Sequence, residues 1–363
     1  MTVSATSIIK KLLLLFLVFA GLHFAADFLM PLFIGGVLAT LFLPFCRWME
    51  RRKIPKFIAP LICLLVLVLC VAGVGALIGW QVSELAKDVT LIKQRITEVS
   101  DKIQAYIFTN VGIEKERQMQ LLKDQQSNVT EFLASMAGSL TTIITSFILI
   151  LVYVFGLLYY RSHIKEFLLK LAPPAQRKEM ENIVYNATNV SQQYLVGLTK
   201  MIVCLWIMYS IGFSLAGVKN AIFFAILCGL LEIVPFIGNI TGTSITVLVA
   251  AVHGASAGMI LSIIGTYAFV QFIQGWVLEP IIVGPQVKIN PFATIIALII
   301  GELVWGIPGI ILAIPLTAML KIVCDHIQPL KPYGFLIGEL ESSEKEPSFV
   351  SRIKAFYKRW KNK

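Results

Sequence analysis

The apolar region from Lys219 to Lys321 is repeatedly interrupted by prolines, glycines and acids, and this pattern constrains the fold more than any other feature. The first interruption is the segment Glu232-Ile-Val-Pro235-Phe-Ile-Gly238-Asn239. The second contains Gly301-Glu302 and Gly306-Ile-Pro308-Gly309, followed by Pro315. Broken helices at membrane depth occur only where protein or a wet cavity surrounds them, and ionisable groups there usually mark a pathway. The region is therefore predicted to be the working part of a transport protein.

The composition places the chain in a membrane. Hydrophobic residues make up 57% of the 363 residues and charged residues only 14%, with a mean hydropathy of +0.80. A soluble domain of this size carries more charge, so we predict an all-α, polytopic membrane protein. The formal net charge of +10 sits in short loops and in the tail, as the positive-inside rule requires. No basic–aromatic module accompanies this charge, so no nucleic-acid partner is predicted.

Residues 1–80 are predicted to form three transmembrane helices. Ile8–Phe28 and Phe57–Trp80 are long enough to span a bilayer, which takes about 20 apolar residues. Pro31–Phe45 is shorter, and we expect a helical hairpin whose turn lies at Met30-Pro31. The loop that follows is basic and is expected on the cytoplasmic side. Its basic residues are Arg47, Arg51, Arg52, Lys53 and Lys56.

Residues 81–138 change character, because apolar residues recur there at alternating spacings of four and three. Leu85, Val89, Ile92 and Ile96 begin this heptad pattern. It predicts an extracytoplasmic helical hairpin whose apolar stripe serves packing or subunit contact rather than ligand binding. Residues 139–196 are predicted to hold the fourth transmembrane helix and cytoplasmic amphipathic helices.

Residues 197–325 form the predicted transport core. A fifth span, Gly197–Gly217, leads to two broken helical hairpins of the re-entrant type, separated by the uninterrupted span Ser256–Leu278. The paired segments are 220–234 with 240–252, and 292–304 with 310–323. If each pair enters and leaves on one side, the number of crossings is even and both termini are cytoplasmic. The basic tail in 326–363 is then either a helix on the anionic inner leaflet or a solvated end.

Polar residues around the breaks are the candidate substrate or ion pathway. Pro235 frees carbonyl groups one turn earlier, and these carbonyls together with the Glu232 carboxylate can hold a cation. Gln271 and Gln274 share one helix face and lie within helical reach of Glu279. The full set is Glu232, Pro235, Gly238, Asn239, Thr241, Gln271, Gln274, Glu279, Asn290 and Glu302, with Thr243 adding another oxygen. The alternative is structural, since the same groups can brace bent helices and satisfy freed carbonyls.

Glu302 is the expected counterpart of Glu232 in the second hairpin. Paired discontinuous segments in corresponding positions are the best sequence indication of a transporter site. Whether the two halves form an inverted repeat is left open, because they share punctuation rather than residue identity.

The sequence contains no catalytic or metal-binding motif. There is no Gly-x-Ser-x-Gly, no His-Glu-x-x-His and no Walker phosphate loop, and the six cysteines lack metal-ligand spacing. We therefore predict no enzymatic activity and no cofactor, with an ion or solute gradient as the source of energy and Na⁺ or H⁺ as the candidate coupling ion. Two alternatives stay open: a channel, and a membrane scaffold or regulatory protein that transports nothing.

Several short segments occur in a distinctive order in the second half of the chain. They are Leu171–Arg177, Tyr194–Gly197, Gly229–Gly238, Val277–Gly284, Ile289–Pro291 and Gly301–Leu316. With these segments, residues 140–323 resemble the AI-2E family of bacterial membrane transporters, which includes the autoinducer-2 exporter and PerM-like permeases. The sequence departs from the family at Leu198 and Trp276, where polar residues are common, and these departures imply a different solute if those positions contact it.

The resemblance to the AI-2E family carries several implications for this chain. It implies a lipid-embedded secondary transporter of the bacterial cytoplasmic membrane. Such a protein exports a small polar, autoinducer-2-like signal or exchanges Na⁺ for H⁺. The resemblance also implies a homo-oligomer, with a pentamer as one candidate.

Overall fold

The protein is helical throughout the part of the chain that the structure describes. The computed structural model describes residues 5–87, 142–235 and 237–339. Within these ranges there is no strand, and a single β-bridge joins Ile289 to Gly338. Six helices there are long and apolar enough to cross a membrane. They are Ala26–Arg51, Ile58–Gln81, Thr142–Tyr159, Pro174–Leu215, Ala257–Val283 and Ile307–His326. The prediction of an all-α polytopic membrane protein is confirmed.

The helices are numbered in chain order. Helices α1 to α4 are Ala5–Phe24, Ala26–Arg51, Ile58–Lys87 and Thr142–Tyr159. Helices α5 to α8 are Arg161–Leu171, Arg177–Leu215, Ala221–Leu231 and Ile237–Val252. Helix α9, Ala257–Ile273, continues into a π-helical segment, Gln274–Val283, and into α10, Gly284–Val287. Helices α11 to α13 are Pro291–Trp305, Ile307–His326 and Lys331–Ile337, and short 3-10 turns occupy Pro174–Gln176 and Gln328–Leu330.

One end of the helix bundle, which we call the basic end, gathers the loops rich in lysine and arginine. It holds Arg51 at the end of α2 and Arg161 at the start of α5. The Arg161 guanidinium donates to the Glu50 carboxylate, which joins the end of α2 to the α4–α5 junction. Lys165 Nζ donates to Glu181 Oε1 at 2.6 Å, so α6 also starts at this end.

The first hairpin, α7–α8, has both of its ends at the opposite end of the bundle. Helix α6 finishes there, and Asn220 before α7 donates from Nδ2 to Gln81 Oε1 near the end of α3, at 3.2 Å. His253 and Gly254, which follow α8, line the same cavity as Gln81. The turn of the hairpin, at Glu232–Pro235, therefore lies inside the bundle.

The second hairpin, α11–α12, starts from the basic end. Helix α9 and the π-helical segment run antiparallel to α6, since Gly212 packs against Thr266 and Gly197 against the Ile282 carbonyl. The chain has thus returned to the basic end before α11 begins. At the hairpin turn, Trp305 Nε1 donates to a carbonyl oxygen of α1 at 2.9 Å, close to the α1–α2 turn. The two hairpins enter the bundle from opposite ends.

The largest buried cluster packs the first hairpin against its neighbours. Tyr209 and Phe213 of α6 and Phe224 of α7 are almost fully buried there, together with Ile263 and Val270 of α9. The aromatic rings of Tyr209 and Phe213 have their centroids 5.3 Å apart. A second cluster joins α2, α3 and α4. The first hairpin is therefore held in the core of the protein, where its polar turn is shielded.

Two helix boundaries differ from the sequence prediction. The α1–α2 turn lies at Ala25, and Pro31 sits inside α2, so the predicted turn at Met30-Pro31 is wrong. A proline this early in a buried helix removes a single hydrogen bond, which helix packing can tolerate. The fifth span was predicted to begin at Gly197, but helix α6 already begins at Arg177, because no proline interrupts it.

The predicted span Ser256–Leu278 also differs in its geometry. The helix continues to Val283 and adopts π pitch from Gln274 onward. Pro280 has no N–H to donate, so the carbonyl one helical turn before it lacks its usual donor. In a π-helix each carbonyl accepts from the N–H five residues later, and the Glu279 carbonyl accepts from the Gly284 N–H in this way. Such π segments are frequent at functional sites.

Two predicted regions fall largely outside the described residues. Most of the extracytoplasmic hairpin predicted at 81–138 lies in the range 88–141. Much of the basic tail predicted at 326–363 lies beyond residue 339. Both stay predictions.

Candidate functional site

A hydrogen-bonded network of buried polar side chains lies at the turn of the first hairpin. Gln274 Nε2 donates to Glu232 Oε1 at 2.5 Å. Asn239 Nδ2 donates to Gln274 Oε1 at 3.0 Å and, at 3.4 Å, to Gln271 Oε1. Gln271 Nε2 in turn donates to the hydroxyl of Tyr267 at 3.4 Å. Four residues singled out from the sequence are thus brought together, across 42 positions of chain.

The network forms because the first hairpin turns tightly beside the π-helical segment. Glu232 caps the end of α7, and α8 begins two residues after Pro235. A Cβ on Gly238 would lie 1.8 Å from the Leu231 carbonyl oxygen, so only glycine allows the helices to approach this closely. This approach places Asn239 within reach of Gln274 at the start of the π-helical segment.

Four buried oxygens in this region have no hydrogen-bond partner among the described residues. They are Glu232 Oε2, Asn239 Oδ1, Thr243 Oγ1 and the Tyr209 hydroxyl. Their side chains are at most 6% exposed. Buried polar atoms normally have partners, so these four oxygens mark a candidate ligand site.

A cavity of about 410 Å³ lies between the network and the basic end of the bundle. The first hairpin contributes Glu232 and Pro235 to its wall, and the π-helical segment contributes Glu279. The flanks of the second hairpin contribute Leu298 and Ile314. Helix α6 contributes Tyr194, Leu198 and Met201. The cavity is the point where both hairpins meet the π-helical segment.

The charged groups of the cavity are unevenly placed. Glu232 is 4% exposed at the inner end. Glu279 is exposed in the wall, and Lys288 and Glu339 line the part nearest the basic end. The cavity therefore offers three carboxylates and one ammonium group in a wall that is otherwise largely apolar. The described residues contain no group of three or more His, Cys, Asp or Glu side chains that could hold a metal ion.

Some candidate residues lie outside this arrangement. Glu302 was expected to mirror Glu232, but its side chain is exposed at the turn of the second hairpin and does not line the cavity. Thr241 is exposed and donates to the Ile237 carbonyl of its own helix at 2.8 Å. Thr243, two positions later, faces the core instead.

Asn290 closes the second hairpin at the basic end. Its Nδ2 donates to the carbonyls of Leu336, Ile337 and Gly338 at 2.7, 3.1 and 2.9 Å. Its Oδ1 caps α11 by accepting from the Ala293 N–H at 2.7 Å. The side chain thus ties the start of α11 to the chain after α12, which is a structural role.

Asn290→Ala is expected to lower the midpoint of thermal unfolding by about 4 °C or more, because it removes a helix cap and several amide–carbonyl bonds. The measurement is thermal unfolding of the purified protein in detergent. Thr241→Val is the control, since its hydroxyl bonds only within its own helix. An unchanged midpoint in Asn290→Ala is incompatible with this role.

Sequence reasoning did not single out Tyr209. It lies in an apolar span and has the pattern of a core residue. The only available signal was its hydroxyl, since a buried tyrosine O–H normally finds a partner. The hydroxyl lies beside the Thr243 hydroxyl, one helical turn from Asn239 on α8.

Comparison with known proteins points to transport. A family model described as AI-2E family transporter matches residues 12–328. YrrI from Bacillus subtilis (strain 168), provisionally named a transport protein, is 26% identical over 313 residues, which cover 82% of this chain and 85% of YrrI. YhhT from Escherichia coli (strain K12), also provisionally named a transport protein, is 25% identical over 91% of this chain and 94% of YhhT. The AI-2 transport protein TqsA from Escherichia coli (strain K12) is 22% identical over 93% of this chain and 97% of TqsA.

Proposed function

We propose that this chain, which belongs to the AI-2E family of transporters, is a secondary transporter that moves a small polar solute by alternating access. Family membership makes it a membrane transport protein rather than an enzyme. Because the relative TqsA is named for AI-2 transport, an AI-2-like signal is the first candidate solute. Exchange of Na⁺ for H⁺ is the second.

The cavity below Glu232 is the observation that carries this proposal. Its volume of about 410 Å³ suits a small molecule, and its wall is shared by the two hairpins and the π-helical segment. Discontinuous helices that meet around a polar site are the usual construction of secondary transporters. A solute in this cavity contacts three elements that can move relative to one another.

The part of the bundle between the network and the end opposite the basic end supports alternating access. Tyr209, Phe213 and Phe224 are almost fully buried. They fill the space between the network and the cavity at the opposite end, which Gln81 and His253 line. In this conformation the site is closed toward the opposite end. We propose that the two hairpins are re-entrant and that the first hairpin moves to open the other path.

We propose that the basic end is cytoplasmic in a bacterial inner membrane. The positive-inside rule supports this orientation, because the loop after α2 and the short helix α5 are both basic. The described chain finishes near Gly338 at this end, where a β-bridge joins Gly338 to Ile289. The cytoplasmic location of both termini stays a prediction. Solute held in the cavity then exchanges with the cytoplasm.

Association with membrane lipids and with further copies of the chain belongs to the same proposal. Helices α1 and α3 expose long apolar faces, as lipid contact requires. A homo-oligomer, with a pentamer as one candidate, stays a prediction, and the apolar stripe expected to mediate it lies in residues outside the described ranges.

Solute uptake into proteoliposomes separates the transporter from its alternatives. With AI-2 as the probe and a Na⁺ or H⁺ gradient imposed, the initial rate should saturate with solute concentration. Conductance that rises linearly without saturation indicates a channel instead. Uptake equal to that of protein-free liposomes under every gradient indicates a scaffold and contradicts the proposal.

A further inference from the structure

We propose a binding site for a dehydrated monovalent cation, formed by Glu232, Asn239, Thr243 and Tyr209, above the solute cavity. The inference rests on the proposed function, because it supplies the coupling ion for that transport. It is based on the four buried oxygens without partners. Alkali cations take oxygen ligands, and carboxylate, amide and hydroxyl oxygens are all suitable.

The hydrogen bonds fix which amide atom faces the site. The Glu232 carboxylate can only accept, so Gln274 must turn its Nε2 toward it. The Oε1 of Gln274 then faces Asn239, and Asn239 must donate to it from Nδ2. The oxygen of Asn239 is left pointing away from Gln274, and it is one of the atoms without a partner. The network therefore orients two acceptors, Glu232 Oε2 and Asn239 Oδ1, as potential ligands.

Two hydroxyl groups complete the set of ligands. Thr243 follows Asn239 by four residues on α8, so the two side chains lie on the same face of the helix. The Tyr209 hydroxyl approaches Thr243 from α6. The thiol of Cys228 packs nearby on α7. Helices α6 and α8 thus bring two hydroxyl groups together, and Glu232 at the end of α7 supplies the carboxylate.

Charge selects a monovalent ion. Glu232 is the only carboxylate among the four residues, and burying an uncompensated charge is costly. One monovalent cation neutralises this carboxylate, whereas a divalent ion leaves a buried positive charge. Glu279 and Lys288 lie below, in the cavity wall, and are not part of the set.

The cation site lies at a different depth along α6 from the solute cavity, and this position allows a bound cation to control transport. Tyr209 lies about 9 Å from the outer end of α6, and Tyr194 in the cavity lies about 31 Å from that end, at 1.5 Å per residue. The cation site therefore lies between the solute cavity and the buried rings of Phe213 and Phe224. A cation there joins α8 to α6 and holds the first hairpin against the core.

Thr243→Val and Thr246→Val form a matched pair of variants for the test. Both threonines are buried on α8. Thr246 Oγ1 already donates to the Gly242 carbonyl at 2.8 Å, whereas Thr243 Oγ1 has no partner. Binding of ²²Na⁺ to the purified full-length protein in detergent is measured, with competing NaCl and with choline chloride at equal ionic strength.

The wild type should bind ²²Na⁺ saturably, and NaCl but not choline should displace it. Thr243→Val is expected to weaken this binding about tenfold or more, while Thr246→Val stays within about twofold. Tyr209→Phe should weaken it in the same direction, which provides a second variant if the valine disturbs folding. Absence of saturable binding in the wild type, or equal affinities for the two threonine variants, overturns the cation site. Saturable AI-2 uptake in that case leaves the proposed function standing.

Discussion

Glu232→Gln is expected to lower the initial rate of solute uptake into proteoliposomes about tenfold or more. The substitution keeps the shape of the side chain and one acceptor for Gln274 Nε2, so folding should be preserved. The substitution removes the buried negative charge. The NH₂ group of the new glutamine is then a donor near three further oxygens that have no hydrogen-bond partner. Uptake of AI-2 is measured with equal amounts of reconstituted protein and an imposed Na⁺ or H⁺ gradient.

Glu302→Gln is the matched control for this prediction. Glu302 also lies at the turn of an apolar hairpin, but its side chain is exposed and outside the cavity wall. Its uptake rate should stay within about twofold of the wild type. Equal losses in the two variants, or normal uptake in Glu232→Gln with normal folding, show that the Glu232 network is structural.

Gly309→Ala is expected to prevent stable folding or to destabilise the protein by about 3 kcal/mol or more. A Cβ at this position would lie 1.8 Å from the Gly301 carbonyl oxygen, and backbone atoms cannot give way as a flexible side chain can. The reciprocal contact is equally tight, since a Cβ on Gly301 would lie 2.4 Å from the Gly309 carbonyl oxygen. The measurement is thermal unfolding together with size-exclusion chromatography in detergent.

Gly265→Ala is the control for the glycine contact. Gly265 lies in α9, and a Cβ added there meets nothing within 4 Å. Alanine favours a helix over glycine by about 1 kcal/mol, so this variant should be as stable as the wild type or more stable. If Gly309→Ala unfolds at the same temperature as Gly265→Ala, the α11–α12 hairpin is not packed as closely as described.

The helical class, the two interruptions and the core polar residues could be predicted from the sequence. Hydropathy and the positions of proline and glycine are local signals, and they predicted turns near Pro235 and Gly306. Glu232, Asn239, Gln271 and Gln274 could all be named as candidates, because buried polar side chains need partners. The sequence connected the two glutamines with Glu279, however, and not with Glu232 and Asn239.

What could not be predicted depends on contacts between distant segments. Pro280 is a local signal of a disturbed helix, but it does not reveal that the helix continues as a π-helical segment whose Ile282 carbonyl packs against Gly197 of α6. The burial of Glu232 and the exposure of Glu302 follow from the neighbours of each hairpin, which punctuation alone does not reveal. Tyr209 was missed because its role depends on Thr243, on a different helix.

Solute counterflow is the most direct test of the central claim, that a solute bound between the two hairpins is carried by alternating access. Proteoliposomes are loaded with unlabelled AI-2 and placed in dilute labelled AI-2 without an ion gradient. Transport by alternating access predicts a transient accumulation of label above equilibrium, which persists in Glu302→Gln and is lost in Glu232→Gln. Label that only rises to equilibrium, at a rate independent of the internal solute, would contradict it.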